Sequence, residues 1–488
     1  MYLSVSIHLI GKELHLMSSD ICFATAGELV SRMRTGDLSA VEVMEAHLAQ
    51  IESINPQVNA IITLLPHDEI RAKARAADER RARNEDLGPL HGLPVAHKDL
   101  ALTKGIRTSF GSLAFRDFIP EENSLIVERL QNAGAITIGK TNTPELGAGS
   151  QTYNEIFGET LNPYDLTKTC GGSSGGAAVS LACGMLPIAD GSDMGGSLRN
   201  PASFCNVVGL RPSPGRVPTW PDLVGWFPLL VEGPMARTVE DVALMLSTIA
   251  GPDSRAPISI AEPGALFTRP LGRDFKDVRI AWSRTLGKLP VDPRVTTALD
   301  EKRYVFESLG CITDDVEPDF TDADDVFKVW RAWRMELGFA EFLEKYRTVF
   351  KDTVVWNIEE GMKLSGPQIG AAERKRTELY HRIRRLMETY DYLILPVSQV
   401  PPFDVKQRYV TRINDDAMET YIDWMKSCYY ISVIGNPAIS VPCGFTSDGL
   451  PVGIQIVGRH QNDFGVLQLA YAFEQATALW RHKPPIVQ

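Results

Sequence analysis

Apolar positions recur along the chain with two spacings, about every 3.6 residues and every second residue, which predict helices and strands respectively. Near the N-terminus, Thr25 and Glu28 form a capping box, in which a hydroxyl and a carboxylate bind the first free amides of a helix. Ser39 and Glu42 repeat the motif, and we expect the helix that they begin to stop at Asn55-Pro56. The pattern therefore predicts a pair of helices lying across a sheet.

Short apolar runs bounded by turn residues alternate with helical segments over most of the remaining chain. This alternation favours a mostly parallel sheet covered by helices. No internal repeat or linker divides the chain, so we expect one large α/β domain. The predicted strands lie at residues 92–97, 135–139, 278–282, 311–316, 392–396, 438–442 and 451–457, and the predicted helices at 68–84, 124–133, 238–251, 292–310 and 464–479, with a further helix opening at Thr143-Pro144.

Two segments depart from this alternation. Residues 215–234 hold tryptophan and phenylalanine among prolines and glycines, which is too irregular for an element and suits the lining of a pocket. Residues from about 320 to 390 are helical and rich in aromatic side chains. We interpret these aromatics as packing groups rather than as a substrate-stacking surface, in a region that covers the pocket.

Residues 134–141 match the phosphate-loop pattern G-x-x-x-x-G-K-[ST] letter for letter. That motif requires a flexible glycine-rich loop between a strand and a helix. Here the interior residues are strand formers that follow a helix. We therefore predict a strand and no nucleotide site.

Composition narrows the function classes. Fifty Lys plus Arg against 61 Asp plus Glu give a net charge of −11 with no basic block, which argues against nucleic-acid or anionic-membrane binding. The seven cysteines lack short pair spacing and indicate free thiols in a reducing compartment, so we expect a cytoplasmic protein. No Cys-x-x-Cys or His-Glu-x-x-His spacing supports a metal centre, and no cofactor fingerprint is present.

The first sixteen residues carry an apolar patch at 3–10 without a small-residue cleavage site behind it. We interpret them as neither a signal peptide nor a membrane anchor. Met17, followed by polar residues, makes an upstream extension or a misplaced start a reasonable hypothesis. The longest apolar run near the serines described below, residues 177–189, is too short to span a bilayer. The predicted organisation is thus an extraneous segment at 1–16 and one domain at 17–488.

The chemistry is concentrated in residues 169–203, which contain two glycine-flanked serine sites, Ser173 with Ser174 and, further on, Ser197. Glycine on both sides of a serine removes Cβ atoms around the hydroxyl and permits backbone geometry closed to other residues. Such a backbone can turn several N–H groups toward one point, as an oxyanion hole requires. Two such sites close together indicate an active site rather than two tight turns.

A serine hydroxyl is a weak nucleophile and needs a base. The run G-S-S-G-G around Ser174 matches the G-x-S-x-G motif of serine hydrolases, for which His91 or His97 would be the base. The other candidate is Lys98, at the end of an apolar strand, since burial favours the neutral amine of a lysine. The residues alone leave both bases open.

Seven motifs, in order from about residue 25 to 480, resemble the amidase signature family. The motifs are G-L-P-V-A-H-K-D, G-K-T-N-T-P-E-L, C-G-G-S-S-G-G, G-S-D-M-G-G-S-L-R-N-P-A-S-F-C, E-G-P-M-A-R-T-V-E-D, N-P-A-I-S-V-P-C-G and G-L-P-V-G-I-Q-I-V-G. The resemblance implies a single α/β domain with a mixed central sheet sandwiched between helices. It also implies a Ser–cis-Ser–Lys triad in place of Ser–His–Asp.

Carried over by motif, Ser197 is the nucleophile, Ser173 the bridging serine after a cis peptide bond, and Lys98 the base. The backbone amides of the oxyanion hole are those of Met194, Gly195, Gly196 and Ser197, and the supporting side chains are Ser174, Asp193 and Arg199. Met194 departs from the family, which commonly has threonine there. Because that position contributes its backbone amide, we expect catalysis to survive with an altered pocket shape.

The resemblance implies a hydrolase of linear amides that forms a seryl acyl-enzyme and releases a carboxylic acid with ammonia or an amine. The aromatic segments favour an aryl or apolar acyl group, and a homodimer is frequent in the family. Two alternatives stay open. One is the transamidating component of a tRNA-dependent amidotransferase, and the other is an esterase or hydrolase that uses Ser174.

Overall fold

Both predicted capping boxes form at the start of the part of the chain that the computed structural model describes, residues 20–488. The proposed extension at 1–16 and the alternative start at Met17 lie outside these residues. The second helix continues through Pro56 to Val58 instead of stopping at Asn55-Pro56. Proline in the last turn removes only one helical N–H, and the Asn55 side chain accepts hydrogen bonds from the amides of Ala60 and Ile61, which ends the helix two residues later.

Helices cover both faces of the described chain. In chain order they are α1 Ala26–Thr35, α2 Ala40–Val58, α3 His67–Ala82, α4 Leu125–Asn132, α5 Gly175–Ala182, α6 Arg199–Phe204, α7 Val239–Ile249, α8 Pro293–Asp300, α9 Arg303–Ser308, α10 Ala323–Tyr346, α11 Asp352–Met362, α12 Gly366–Thr389, α13 Lys426–Ile434 and α14 Asp463–Thr477. The predicted helix at 292–310 is thus two helices, α8 and α9.

The strands include every one predicted, with shifts at their ends, and several that were not. They are β1 Ile61–Leu64, β2 Pro94–Lys98, β3 Ile136–Thr141, β4 Tyr153–Asn154, β5 Gly158–Glu159, β6 Leu161–Asn162, β7 Asp165–Thr169, β8 Ile188–Asp193, β9 Val208–Arg211, β10 Val231–Ala236, β11 Arg279–Trp282, β12 Ile312–Asp315, β13 Tyr392–Pro396, β14 Arg412–Ile413, β15 Asp416–Ala417, β16 Ala438–Phe445 and β17 Pro451–Gly458.

Eight strands form the central sheet, in the order β12-β11-β13-β17-β16-β9-β10-β8. Only β12, β11 and β13 run parallel, and every other pair is antiparallel. The mostly parallel sheet expected from the alternation is therefore wrong, because β16 and β17 form a hairpin and β8, β9 and β10 pair without helical crossovers. The mixed sheet between helices that the resemblance implied is confirmed.

A second sheet, β1-β3-β2, carries the end of one strand to the central sheet. β2 ends at Lys98, whose backbone N–H donates to Asp190 Oδ1 on β8 across 2.8 Å. β3 is the predicted strand within the phosphate-loop pattern, and Lys140 lies buried in it. No loop that could cradle a phosphate therefore forms at residues 136–141.

The helix predicted to open at Thr143-Pro144 does not form. Residues 145–147 make one 3-10 turn, in which Leu146 has a φ of 51°. Gly147 and Gly149 follow with φ of 68° and 109°, values that end any right-handed helix. The segment instead lies as a loop beside the serine sites.

Two expectations about residue classes can be checked on the described chain. No disulfide joins any two of the seven cysteines, all of which are buried within residues 20–488. Over the same residues, every helix is too short or too polar to cross a membrane.

Candidate active site

Three chain segments converge on one end of the sheets. β2 delivers Lys98, and the residues before α5 form a first serine loop, 170–174, which carries Ser173 and Ser174. β8 leads into a second serine loop, 194–198, which carries Ser197 and turns into α6. Gly196 has a φ of 114°, and a Cβ there would meet Cys428 Cβ at 2.5 Å, so the turn requires glycine.

Lys98 lies at the centre of the site, with 2% of its surface exposed. Its Nζ is 2.8 Å from Ser173 Oγ, 3.0 Å from Ser174 Oγ and 3.1 Å from Ser192 Oγ. Burial lowers the pKa of Lys98 to about 7, against the opposing effect of nearby carboxylates. At neutral pH the amine is thus largely able to accept a proton.

The two serine loops meet beside this lysine. The peptide bond between Gly172 and Ser173 is cis, as the resemblance implies. The amide of Ser174 donates to the carbonyl of Ser197 across 3.2 Å, which ties one loop to the other. Ser197 is half-buried, and it lines the same cavity as Lys98 and Ser173.

A buried charge cluster holds the second serine loop from below. Asp193 accepts hydrogen bonds from the amides of Gly196 and Leu198 at 2.9 and 3.2 Å and from both Arg199 and Arg211. Burial alone would raise the pKa of Asp193, but the two guanidinium groups hold it well below its usual range. Asp193 and Arg199 do not line the cavity, which agrees with a supporting rather than a reacting position.

The amides implied in the oxyanion hole are not equivalent. That of Gly196 is taken by Asp193 Oδ1. Within residues 20–488, the amides of Met194, Gly195 and Ser197 donate no hydrogen bond to the chain. Three backbone donors are therefore left for a negative oxygen at the mouth of this loop.

The Ser174 alternative lacks its base. Ser174 is fully buried, precedes α5 and does not line the cavity. His97 contacts Asp190 and Thr137, and among the described residues neither His97 nor His91 makes a hydrogen bond to a serine of the two loops. A Ser–His pair is not assembled, and lysine is the basic group that the serines contact.

The cavity above these residues has a volume of about 360 Å³. Its wall is mainly apolar, and it includes Leu100, Phe110, Leu146, Leu230, Met335 and Phe339. Of the aromatic side chains predicted in the helical region, only Phe339 reaches the cavity, and the others pack in the interior, as Phe327 does against Tyr429 at 4.1 Å. The segment 215–234 lines the cavity as expected, although with Leu223 and Leu230 rather than with its aromatics.

Polar groups of the cavity wall include several that the sequence did not single out. Arg334 forms an ion pair with Asp222 at 3.1 Å, and Arg331 lies nearby on the same helix, α10. Ser192 and Glu232 lie opposite each other on β8 and β10. The only sequence signal for these two was their place in the G-S-D and E-G-P motifs, since the pairing of the strands is not visible in the sequence. No group of three or more His, Cys, Asp or Glu side chains in residues 20–488 is placed to hold a metal ion.

Comparison with known proteins points to one family. The family model described as Amidase matches residues 42–467. An acylamidase of Rhodococcus erythropolis is 34% identical over 476 residues, which cover 96% of this chain and 98% of that protein. A glutamyl-tRNA(Gln) amidotransferase component of Geobacillus kaustophilus is also 34% identical, over 487 residues that cover 94% and 98%. The crystal structure of a bacterial aryl acylamidase of the amidase signature family superposes with a TM-score of 0.89 at 28% identity, covering 95% of this chain and 98% of that one.

Proposed function

The chain belongs to the amidase family and hydrolyses an amide bond, and we propose that Ser197 is the nucleophile, Ser173 the proton bridge and Lys98 the base. One observation carries these roles: Lys98 Nζ lies 2.8 Å from Ser173 Oγ, in the cavity that Ser197 also lines. A base within hydrogen-bond reach is what a serine nucleophile needs.

The reaction begins with Lys98 as a neutral amine, the form that burial favours. Its Nζ accepts the proton of Ser173 while Ser173 Oγ accepts that of Ser197. Ser197 Oγ attacks the carbonyl carbon of the amide. The negative charge that develops on the carbonyl oxygen is then held by the free amides of Met194, Gly195 and Ser197.

The tetrahedral intermediate breaks down when the proton returns through Ser173 to the leaving nitrogen. The C–N bond breaks, ammonia or an amine departs, and the acyl group stays on Ser197 as an ester. Water that gives its proton to the same relay attacks this ester, which releases the carboxylic acid and restores the serine. Asp193 and Arg199 take no part in the transfer and keep the second serine loop in place.

We further propose an aryl or apolar acyl group as the substrate's acid part. The mainly apolar wall supports this choice, because an apolar acyl group gains free energy when it leaves water for such a surface. The acylamidase and aryl acylamidase relatives point the same way. A panel of aryl, alkyl and amino-acid amides, scored for release of ammonia or amine, tests it, and preference for short polar amides would contradict it.

The proposed nucleophile is tested by covalent labelling. Ser197→Ala is expected to abolish both turnover and labelling by a fluorophosphonate, whereas Ser174→Ala is expected to remain labelled. Ser174 is the matched control, since it is the neighbouring serine that also contacts Lys98, at 3.0 Å. Labelling of Ser197→Ala together with its loss in Ser174→Ala would transfer the role to Ser174.

A transamidating component of an amidotransferase remains a second candidate, because a relative of that kind is 34% identical over most of the chain. Amide hydrolysis by the purified chain alone, unaffected by ATP, is the result expected for a free-standing amidase. A requirement for partner proteins, with ATP-dependent activity on aminoacyl-tRNA, would favour the amidotransferase instead.

The setting of the enzyme is also a proposal. We place it in the cytoplasm as a homodimer that binds no nucleic acid, with residues 17–488 as one domain and residues from about 320 to 390 covering the cavity. Seven cysteines without a disulfide support a reducing compartment, and the net charge of −11 opposes nucleic-acid binding. Arg331, Met335 and Phe339 of α10 support the covering role. Light scattering during size exclusion measures the oligomeric state.

A further inference from the structure

Glu232 lies beside the proposed base through the pairing of two strands. On β10 it is directly opposite Ser192 of β8 in an antiparallel register. Side chains of such a pair project from the same face of the sheet, about 5 Å apart at Cβ. Because Ser192 Oγ is 3.1 Å from Lys98 Nζ, Glu232 is brought to the side of the lysine, and all three residues line the cavity.

Three carboxyl groups act on the charge of Lys98, and two of them are already bound elsewhere. Asp193 is held by Arg199 and Arg211. Asp190 accepts from the Lys98 amide and pairs with His97. A carboxylate that is already bound by cations or amides has less capacity to respond when a proton reaches Lys98.

Glu232 differs from both of these aspartates. Its Oε2 is buried and has no hydrogen-bond partner among residues 20–488. A buried polar atom without a partner is costly and marks a place where a charge or a ligand is expected. Here the nearest group that gains a charge during the proposed reaction is Lys98.

We propose that Glu232 is a positioning residue that strengthens Lys98 as a base, by placing an otherwise unbound carboxyl group beside the ammonium that forms when Ser197 loses its proton. The inference rests on the roles proposed above for Lys98 and Ser197. It adds a group that acts through the lysine and does not itself take the proton of Ser197.

The charges around Glu232 make its response dependent on pH. Burial raises its pKa to about 8, Asp190 and Asp222 raise it further, and Lys98 opposes them. The pKa of Lys98 is lowered to about 7 by burial, against Asp193, Asp190 and Glu232. Two interacting groups with such close values titrate as a pair. Ionised Glu232 favours protonated Lys98, so the titration of the lysine lies at higher pH with Glu232 than without it.

The test is the pH dependence of kcat/KM in Glu232→Gln, measured with the amide of the panel that is turned over fastest. Glutamine keeps the size of the side chain and removes its charge. The acid-side midpoint is expected to fall by about 0.5 to 1 pH unit, because an opposite charge near a lysine is lost. The rate on the plateau is expected to fall about 3- to 10-fold, because a weaker base removes the proton less well.

Glu474→Gln is the matched control. Glu474 is also buried, its pKa is raised to about 8 by burial, and its Oε1 lacks a partner within the described chain. It lies on α14, where its other oxygen accepts from the amide of Val239, and it does not line the cavity. Its substitution is expected to leave the midpoint unchanged.

Glu232→Asp separates charge from packing, since it keeps a carboxyl group while changing the shape more than glutamine does. A midpoint nearer that of the wild type than in Glu232→Gln supports the inference, also where the glutamine variant is poorly folded. An unchanged or higher midpoint in Glu232→Gln overturns it. That result with an inactive Ser197→Ala leaves the proposed function standing, whereas an active Ser197→Ala refutes the proposed function itself.

Discussion

Two lysines on neighbouring strands, Lys98 at the end of β2 and Lys140 near the end of β3, share one environment and differ in what they can reach. Both are buried, and burial lowers the pKa of Lys98 to about 7 and of Lys140 to about 8. Lys98 Nζ contacts three serine hydroxyls in the cavity. Lys140 Nζ donates to the carbonyl of Ala101 and to Thr103 Oγ1, away from the cavity. Burial makes a lysine basic in its neutral form, but only contact with a nucleophile's relay gives that basicity a use.

The largest expected effect comes from removing the lysine amine on each side of this comparison. Lys98→Ala is expected to lower kcat about 10³- to 10⁴-fold, at the upper end of what a general base contributes. Lys140→Met is expected to retain most of kcat, since its amine touches no serine. Steady-state kinetics on both variants measures this. Equal losses would mean that the two lysines are not functionally distinct.

The next effect is the pH dependence of the wild-type enzyme. Lys98 must be neutral to act, and its pKa is lowered to about 7, so kcat/KM is expected to rise with pH through that value. Below it, activity falls about tenfold per pH unit, or about 100-fold two units lower. Lys140→Met is expected to show the same midpoint. A midpoint near 10 would indicate that the base is an ordinary exposed lysine or another group.

Lys140 is expected to appear in stability rather than in rate. Its pKa in the folded state is lowered to about 8, below that of the unfolded chain, so the native state binds fewer protons than the unfolded state. The free energy of unfolding therefore rises with pH between about 8 and 10.4. Lys140→Met leaves Thr103 Oγ1 and a buried carbonyl without their donor, at a cost of about 1 to 3 kcal/mol. Urea unfolding with and without the substitution measures both.

The smallest effect concerns a single contact of Lys98. Ser192→Ala removes one of its three hydroxyl neighbours, at 3.1 Å, and is expected to lower kcat/KM about 3- to 10-fold. Thr103→Val is the corresponding change beside Lys140 and is expected to alter stability only. A loss in Ser192→Ala as large as in Lys98→Ala would instead place Ser192 within the proton relay.

Local signals predicted much of the fold, and long-range pairing accounts for the misses. The capping boxes at Thr25 and Ser39 depend on four consecutive residues and formed as predicted. The helix expected at Thr143 failed because Gly147 and Gly149 adopt positive φ values that the tertiary contacts of the loop select. The mixed order of the central sheet could not be read from alternation, since strand order depends on contacts between distant segments.

The site divides in the same way. Lys98, Ser173 and Ser197 stand in motifs that can be recognised in the sequence, and the structure brings them to one cavity. Glu232 and Ser192 carry no such signal, because their proximity depends on the register of β10 against β8. The commitment of the Gly196 amide to Asp193 is likewise a matter of loop geometry. Reacting groups are thus more predictable than the groups that adjust them.

Arg199 links the order of synthesis to the appearance of activity. All three proposed catalytic residues precede residue 200, yet Arg199, which braces the second serine loop, donates to Ser432 Oγ at 2.9 Å and to Gln455 Oε1 at 2.6 Å. A chain still emerging from the ribosome therefore carries its complete set of reacting groups long before it carries the partners that fix them. We expect amide hydrolysis to begin only once the segment around Gln455 has been released, so that unfinished polypeptides are silent.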